Sequence, residues 1–186
     1  MKRSVLILVS LFLALSLAAV AGTLEGTAPK NAVVYVNAVP GGKTAAPHTF
    51  AIDQKSMQFS PHVMVVPVGS TVAFENHDVE AHNVMWPSVS GDKKAGHNMG
   101  TFPPGKSVSY KFDKPGVYPL LCNIHAEMSA YVVVTPTPYY AKADPSGKYS
   151  IANLPDGKYE VTEWSEGKKP ETKSVTVANG DAKLNF

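Results

Sequence analysis

The sequence predicts an all-β protein made of β-sandwiches, because its apolar residues fall in short runs separated by turn residues. Fifteen prolines and 14 glycines punctuate the 186-residue chain, and the runs between them are rich in β-branched and aromatic residues. Past residue 21, no long window shows a convincing helical period. The runs that we interpret as strands are 33–36, 63–66, 71–75, 107–112 and 131–135. Several short strands with frequent turns are typical of a sandwich.

The N-terminal segment, MKRSVLILVSLFLALSLAAVAG, has the pattern of a secretory signal peptide. Lys2 and Arg3 precede an almost wholly apolar run from Val5 to Val20. Ala19-Val20-Ala21 then supplies the small-x-small pattern of a cleavage site, so we expect residues 1–21 to be removed. A membrane anchor is the alternative, because the apolar run approaches the length that spans a bilayer.

Removal of this segment would leave a chain whose formal charges cancel. The segment holds Lys2 and Arg3 but no acidic residue, and the whole chain has 17 basic and 15 acidic residues. A neutral chain gives no indication of a nucleic-acid partner. No later segment is apolar enough to cross a bilayer. We therefore expect a protein exported to the periplasm, the cell surface or the medium, with no membrane span after cleavage.

The C-terminal residues 139–186 predict a second, smaller sandwich. The run Gly147-Lys-Tyr-Ser-Ile151 is echoed ten residues later by Gly157-Lys-Tyr-Glu-Val161. Three or four strands are few for an independent sandwich. Residues 22–47 contain one good strand that the middle of the chain does not need. We therefore expect residues 22–47 and 139–186 to form one small sandwich, with residues 48–138 inserted between them.

The motif CNIHAEM, residues 122–128, carries the most specific chemistry. Cys122 is the only cysteine, and a thiol in an exported protein is open to oxidation unless it is buried or occupied as a ligand. With His125 and Met128 it offers the soft and borderline donors that suit copper. Three ligands on one short loop cannot surround an ion, so we expect His82 as the fourth. Each residue alone suggests a core or loop position, whereas the combination predicts a blue-copper site.

These residues also carry a resemblance to a known family, the cupredoxins, over about residues 49–135. The matching positions are Pro104, Gly105, Phe112, Pro115, Gly116, Tyr118, Cys122, His125 and Met128, with His82 and Asn83 upstream. The resemblance implies a Greek-key β-sandwich that binds one copper ion per chain through His82, Cys122, His125 and Met128. It also implies that Asn83 ties the two ligand loops by hydrogen bonding near the thiolate. The short gap between His125 and Met128 is similar to that of amicyanin.

The C-terminal residues resemble a different family. The pattern Gly-x-Tyr-x-Ile-x-x-Leu-Pro-x-Gly-x-Tyr-x-Val at residues 147–161 is similar to carboxypeptidase regulatory-like (transthyretin-like) domains. Together with the cupredoxin resemblance, it implies a copper protein of the periplasm or the cell surface.

Two functions follow from the copper prediction. The first is one-electron transfer to a transient redox protein partner, whose identity the sequence does not reveal. His125 would be the electron port, within an apolar collar that includes Met85 and Trp86. The alternative is a periplasmic chaperone or storage protein for Cu(I), which His97 and Met99 favour because they could form a second, weaker copper site.

An enzyme is not expected. A trinuclear copper centre needs His-x-His pairs, and no two of the six histidines lie two residues apart. A dinuclear electron-transfer copper site needs two cysteines, and the Cys-x-x-Cys-His motif of haem attachment is absent.

Overall fold

The computed structural model describes residues 21–42, 45–178 and 180–186, so the predicted signal sequence up to residue 20 lies outside the described part. The first eight strands are β1 (Ala21–Thr27), β2 (Val33–Val36), β3 (Thr49–Lys55), β4 (Gln58–Ser60), β5 (Val63–Pro67), β6 (Ser70–Asn76), β7 (His82–Trp86) and β8 (His97–Phe102). The others are β9 (Ser107–Phe112), β10 (Gly116–Leu121), β11 (Ser129–Thr135), β12 (Tyr140–Lys142), β13 (Lys148–Pro155), β14 (Gly157–Trp164), β15 (Glu171–Val177) and β16 (Ala182–Lys183). A short 3₁₀ helix spans Lys93–Ala95. The predicted all-β fold is confirmed.

The strands form four sheets around two separate cores. One pair of sheets, which we name the larger sandwich, has the strand orders β5-β11-β10-β7-β8 and β4-β3-β6-β9. The other pair, the smaller sandwich, has the orders β12-β2-β14-β15 and β13-β1-β16. Each sandwich buries its own set of aliphatic and aromatic side chains.

Alternation of polar and apolar residues builds the larger sandwich. In β6 every second side chain is buried, and Val72 and Phe74 are its apolar contribution to the core. Period-two burial is what one face of a sheet packed on a core requires. Trp86 lies at the centre, with its ring centroid 4.8 Å from Tyr110 and 5.8 Å from Phe112. This aromatic cluster holds β7 and β9 together across the two sheets.

The smaller sandwich takes strands from both ends of the described chain. The N-terminal strand β1 pairs antiparallel with β13 and parallel with β16. The next strand, β2, lies between β12 and β14. Leu24, Val34 and Val36 are fully buried in the core that these strands share with Tyr159 and Val161 of β14.

The two sandwiches pack against each other through an apolar layer. Val33 and Trp164 of the smaller sandwich meet Val133 of the larger one, and all three are almost wholly buried. Tyr131 in β11 lies beside Trp164, with ring centroids 5.1 Å apart. The face of the five-stranded sheet that points away from the larger core is therefore covered by the smaller sandwich. Across the described residues, no helix has the length and apolar character needed to cross a membrane.

Candidate metal centre

Three side chains with metal-binding atoms converge where the loop before β7 meets the loop after β10. The donor atoms of His82, Cys122 and His125 all lie within 4.8 Å of one another. The Nδ1 atoms of His82 and His125 are 3.1 Å apart, and the Cys122 sulfur is 3.9 Å from Nδ1 of His125. His82 and Cys122 are buried, whereas His125 is partly exposed. Among the described residues, no other group of three His, Cys, Asp or Glu side chains is so placed.

The Cys122–Met128 loop is held in shape by its own backbone. It connects β10 to β11, and the antiparallel pair Leu121 and Ser129 fixes its two ends. The Cys122 N–H donates to the Met128 carbonyl at 3.3 Å, and the Met128 N–H donates to the His125 carbonyl at 3.1 Å. A short loop closed in this way presents its thiol and imidazole with little freedom to move apart.

The loop before His82 is organised by Asn76, a buried residue at the end of β6. Its side-chain amide donates to the carbonyls of Glu80 and Phe102, and its side-chain oxygen accepts the N–H of Asp78. An asparagine that bonds to the backbone two residues ahead is a recognised way to set a turn. These bonds place His82 at the first position of β7, next to the Cys122–Met128 loop.

Asp78 sets the protonation pattern of the His82 ring. The Nε2 atom of His82 lies 3.0 Å from a carboxylate oxygen of Asp78. Because an ionised carboxylate only accepts hydrogen bonds, Nε2 carries the proton and Nδ1 keeps a free lone pair that faces His125. The backbone N–H of Met57, the ring of His82 and the backbone N–H of Val79 lower the pKa of Asp78 to about 2. Asp78 is therefore ionised at neutral pH and fixes the orientation of the His82 ring, with Nδ1 towards His125.

Asn83 contacts the thiol through its backbone. Its N–H donates to the Cys122 sulfur at 3.4 Å, so this contact joins the strand that begins with His82 to the loop that holds the thiol. Its side-chain amide donates to the side-chain oxygen of Asn98 at 2.8 Å. Asn98 lies on β8, so this bond ties the strand that begins with His82 to its neighbour.

Comparison with known proteins identifies the segment that carries this site. Residues 46–135 match the family model of copper binding proteins, plastocyanin/azurin family. The plastocyanin of Scenedesmus fuscus is 30% identical over 78 residues, and the match covers 39% of this chain and 80% of that protein. The chain belongs to the plastocyanin/azurin family.

Solved structures of copper proteins are similar to about half of the chain. The purple cupredoxin from Nitrosopumilus maritimus is 26% identical, with 46% of this chain and 99% of that chain covered and a TM-score of 0.42. A reduced amicyanin variant is 22% identical, with 54% and 97% covered and a TM-score of 0.42. A copper-containing nitrite reductase from Thermus scotoductus is 27% identical, with 53% and 25% covered and a TM-score of 0.43.

The smaller sandwich matches a different family model. Residues 128–184 match domain II of polysaccharide lyase family 4, not the carboxypeptidase regulatory-like domain that residues 147–161 resemble. The predicted cupredoxin family is thus confirmed, whereas the relationship of the second module to carboxypeptidase regulatory-like domains stays a prediction.

Copper is the cofactor of this family, and the residues of the site fit it. One sulfur and two imidazole nitrogens are the donor types that bind copper in both of its common oxidation states. Two of the three side chains are buried, so water has little access to compete for the ion. The prediction of a copper cofactor is confirmed.

The remaining predicted residues lie in several different places. Met128 is buried, with 1% of its surface exposed, at the end of the Cys122–Met128 loop. His97 and Met99, the predicted second copper site, lie in β8. The His97 ring packs against Trp86 and Tyr110, with ring centroids 5.1 and 5.2 Å away. The His97 ring therefore has a packing role beside the aromatic core of the larger sandwich.

The exposed surface around the copper site differs in one respect from the predicted collar. Trp86, which the sequence placed in that collar, is 1% exposed and belongs to the core. Leu121 and Ile124, on either side of Cys122, are 37% and 50% exposed. These two aliphatic side chains form the apolar rim beside His125.

Sequence reasoning missed the supporting role of three polar residues. These residues are Asn76, Asp78 and Asn98, and none of them is among the site residues that the sequence predicts. One signal was available for Asp78, since metal-binding histidines usually donate their second N–H to a carboxylate or a carbonyl. Asp78 and Glu80 are the acidic residues nearest His82 in the sequence. Which of them faces the ring depends on the loop conformation.

Proposed function

We propose that this chain is an exported blue-copper protein that carries single electrons between redox partners. The convergence of one thiol and two imidazole nitrogens within 4.8 Å carries the proposal. His82, Cys122 and His125 are the proposed equatorial ligands, and the Met128 thioether is the proposed axial ligand. Bound copper supplies a one-electron couple between Cu(II) and Cu(I).

The protein contributes residues that hold the proposed ligands in position. Asp78 holds the His82 ring from behind, and the N–H of Asn83 contacts the Cys122 sulfur. Ligands that are already in place undergo little rearrangement when the charge of the site changes by one. A small rearrangement is what fast electron exchange requires.

The partial exposure of His125 supports its role as the electron port. Leu121 and Ile124, close to it in the sequence, expose apolar surface, which suits a small and short-lived contact with a partner protein. His82 is fully buried and therefore cannot meet a partner directly.

Export to the periplasm or the cell surface belongs to the same proposal, since it depends on the predicted signal peptide.

A copper chaperone or store is the competing proposal, and copper loading distinguishes the two. Addition of Cu(II) to the apoprotein is expected to give an intense thiolate-to-copper charge-transfer band and a reversible one-electron couple in voltammetry. Copper should stay bound through repeated cycles in the presence of a weak Cu(I) chelator, because the proposed ligands are mostly buried. A colourless protein that takes up only Cu(I) and passes it to the chelator would favour the chaperone.

Removal of either histidine should open the site in a different way. In His125→Ala the gap lies at the partly exposed position, so added imidazole should enter it and restore the charge-transfer band. In His82→Ala the gap lies at a position with no solvent exposure, so imidazole should have little effect. Visible spectra of both variants, titrated with imidazole, measure the difference. Restoration of His82→Ala but not of His125→Ala would reverse the proposed electron port.

Replacement of Met128 tests the axial position. Met128→Leu keeps an apolar side chain of similar size in this buried place but removes the thioether, which donates electrons to Cu(II). We expect the blue colour to persist and the reduction potential to rise by about 60 mV or more, which is a tenfold change in a one-electron equilibrium. An unchanged potential in voltammetry would mean that Met128 is not a ligand. Met64→Leu, in β5 of the same sandwich, is the matched control.

We propose further that residues 22–47 and 139–186 form one folding unit into which the copper-binding residues 48–138 are inserted. The pairing of β1 with β13 and of β2 with β14 supports this division. A relationship of this unit to carboxypeptidase regulatory-like domains is part of the same proposal.

A further inference from the structure

A cleft of about 380 Å³ lies at the junction of the two sandwiches. The smaller sandwich contributes most of its walls, and the larger one contributes the residues at the start of β5. The lining residues are Pro29, Lys30, Asn31, His62, Val63, Lys142, Trp164, Ser165, Glu166 and Lys168. A volume of this size suits a small organic molecule.

Three lysines from three separate segments meet at this cleft. Lys30 lies in the turn between β1 and β2, Lys142 ends β12, and Lys168 lies in the turn between β14 and β15. Within the described parts of the chain, none of the three makes an ion pair with a carboxylate, unlike Lys111, Lys114 and Lys173 elsewhere. Their ammonium groups therefore remain available to a ligand.

Trp164 adds a hydrogen-bond donor to the same cleft. Its side chain is only 6% exposed and packs against Tyr131, yet it lines the cavity. The other tryptophan, Trp86, donates its indole N–H to the Ala95 carbonyl, whereas the Trp164 N–H makes no hydrogen bond to any residue that the structure describes. The Trp164 N–H is not among the fully buried polar atoms that lack a partner in the described part of the chain, so it is open to the solvent of the cleft. A ligand in the cleft can therefore accept a hydrogen bond from it.

The acidic and hydroxyl groups of the cleft are already engaged by the protein. Glu166, the one acidic residue in the lining, contacts Nε2 of His62 at 2.8 Å. The other ring nitrogen of His62 contacts the Ser129 carbonyl at 3.1 Å. The Ser165 hydroxyl donates to a carboxylate oxygen of Glu163. By contrast, the three ammonium groups and the Trp164 N–H of the cleft have no partner within the described part of the chain.

We propose that this cleft binds a small molecule through a carboxylate or phosphate group. An oxyanion accepts hydrogen bonds at every oxygen. It also carries the negative charge that would pair with the ammonium groups of Lys30, Lys142 and Lys168. A neutral ligand would leave those charges uncompensated. The site is independent of the proposed electron transfer, and a ligand there would contact both sandwiches.

The test uses the full mature protein loaded with Cu(I), which gives no paramagnetic broadening, and observes the two indole N–H signals by NMR. Trp164→Phe assigns the signals. Inorganic phosphate and glucuronate are titrated separately, with sodium chloride at equal ionic strength and neutral glucose as controls. We expect a saturable shift of the Trp164 signal and no shift of the Trp86 signal. A response to phosphate would indicate a free oxyanion as the ligand, and a response to glucuronate alone would indicate an acidic sugar.

Matched lysine variants locate the binding. Lys168→Gln should weaken the binding of the responding anion about tenfold, the effect of losing one charge-assisted contact of roughly 1.4 kcal/mol. Lys158→Gln removes the same charge from an exposed position of β14 outside the cleft and should leave binding unchanged. Three results would overturn the proposal. The Trp164 signal would not shift with either anion, or it would shift equally with sodium chloride. The third result is that the two lysine variants weaken binding equally.

Discussion

Cys122→Ser is expected to abolish the charge-transfer colour of the copper-loaded protein. Only a thiolate supplies the sulfur orbital from which that transition starts, and a serine hydroxyl stays protonated at neutral pH. Copper affinity should fall by more than about 100-fold. Loss of a residue that only hydrogen-bonds to a metal ligand already lowers metal affinity roughly 10- to 100-fold, and Cys122 is itself a proposed ligand. Visible and paramagnetic-resonance spectra after Cu(II) addition measure the colour, and competition with a chelator measures the affinity.

The matched control for this variant lies next to it in the same loop. Asn123 is exposed, so Asn123→Ser makes a serine substitution without removing a proposed ligand. It should retain the full band. Thermal unfolding of both metal-free variants checks that the fold survives. A Cys122→Ser protein that is folded and still blue would remove the central claim about the site.

A fragment of residues 139–186 is expected to be largely unfolded by itself. It would lack β1, which pairs with β13, and β2, which pairs with β14. The fragment would have unpaired strand edges and an uncovered apolar face. Circular dichroism during heating should show no cooperative transition. Joining residues 22–47 to this fragment through a short Gly-Ser linker should restore one.

The complementary fragment supplies the control. Residues 48–138 contain all four proposed ligands and should turn blue with Cu(II), although the outer face of the five-stranded sheet would lose its cover. Replacement of Val133 by threonine in that fragment lowers its exposed apolar surface without touching the copper site. Cooperative unfolding of residues 139–186 alone would contradict the insertion and favour two modules in tandem.

Strong local patterns explain which strands the sequence predicted. The predicted strand at 107–112 coincides with β9 (Ser107–Phe112), and the one at 33–36 coincides with β2 (Val33–Val36). Both contain closely spaced β-branched or aromatic residues. In contrast, β8 (His97–Phe102) has the sequence HNMGTF and is not among the predicted strands. It is a strand because it pairs with β7, and such pairing leaves no local pattern.

The sequence by itself determined the chemistry of the site, since residue types and loop spacing are local properties. The cysteine, histidine and methionine of residues 122–128 indicated copper before any fold was known. Only the tertiary structure decided how the site is supported. Asp78 holds His82, and Asn83 reaches the sulfur through its backbone. These contacts depend on where two loops meet in space, and no spacing along the chain encodes that position.

For the two ends of the chain, too, the sequence determined one part and the tertiary structure decided the other. Repeated Gly-Lys-Tyr runs and a spare N-terminal strand led to the prediction that the ends pair. The cover over the larger sandwich and the lysine-lined cleft beside Trp164 arise only when the two sandwiches pack. Apolar packing between sheets is non-directional and depends on the whole surface of each sheet. A linear sequence can therefore predict that a face is apolar, but the partner that covers it is decided by the folded molecule.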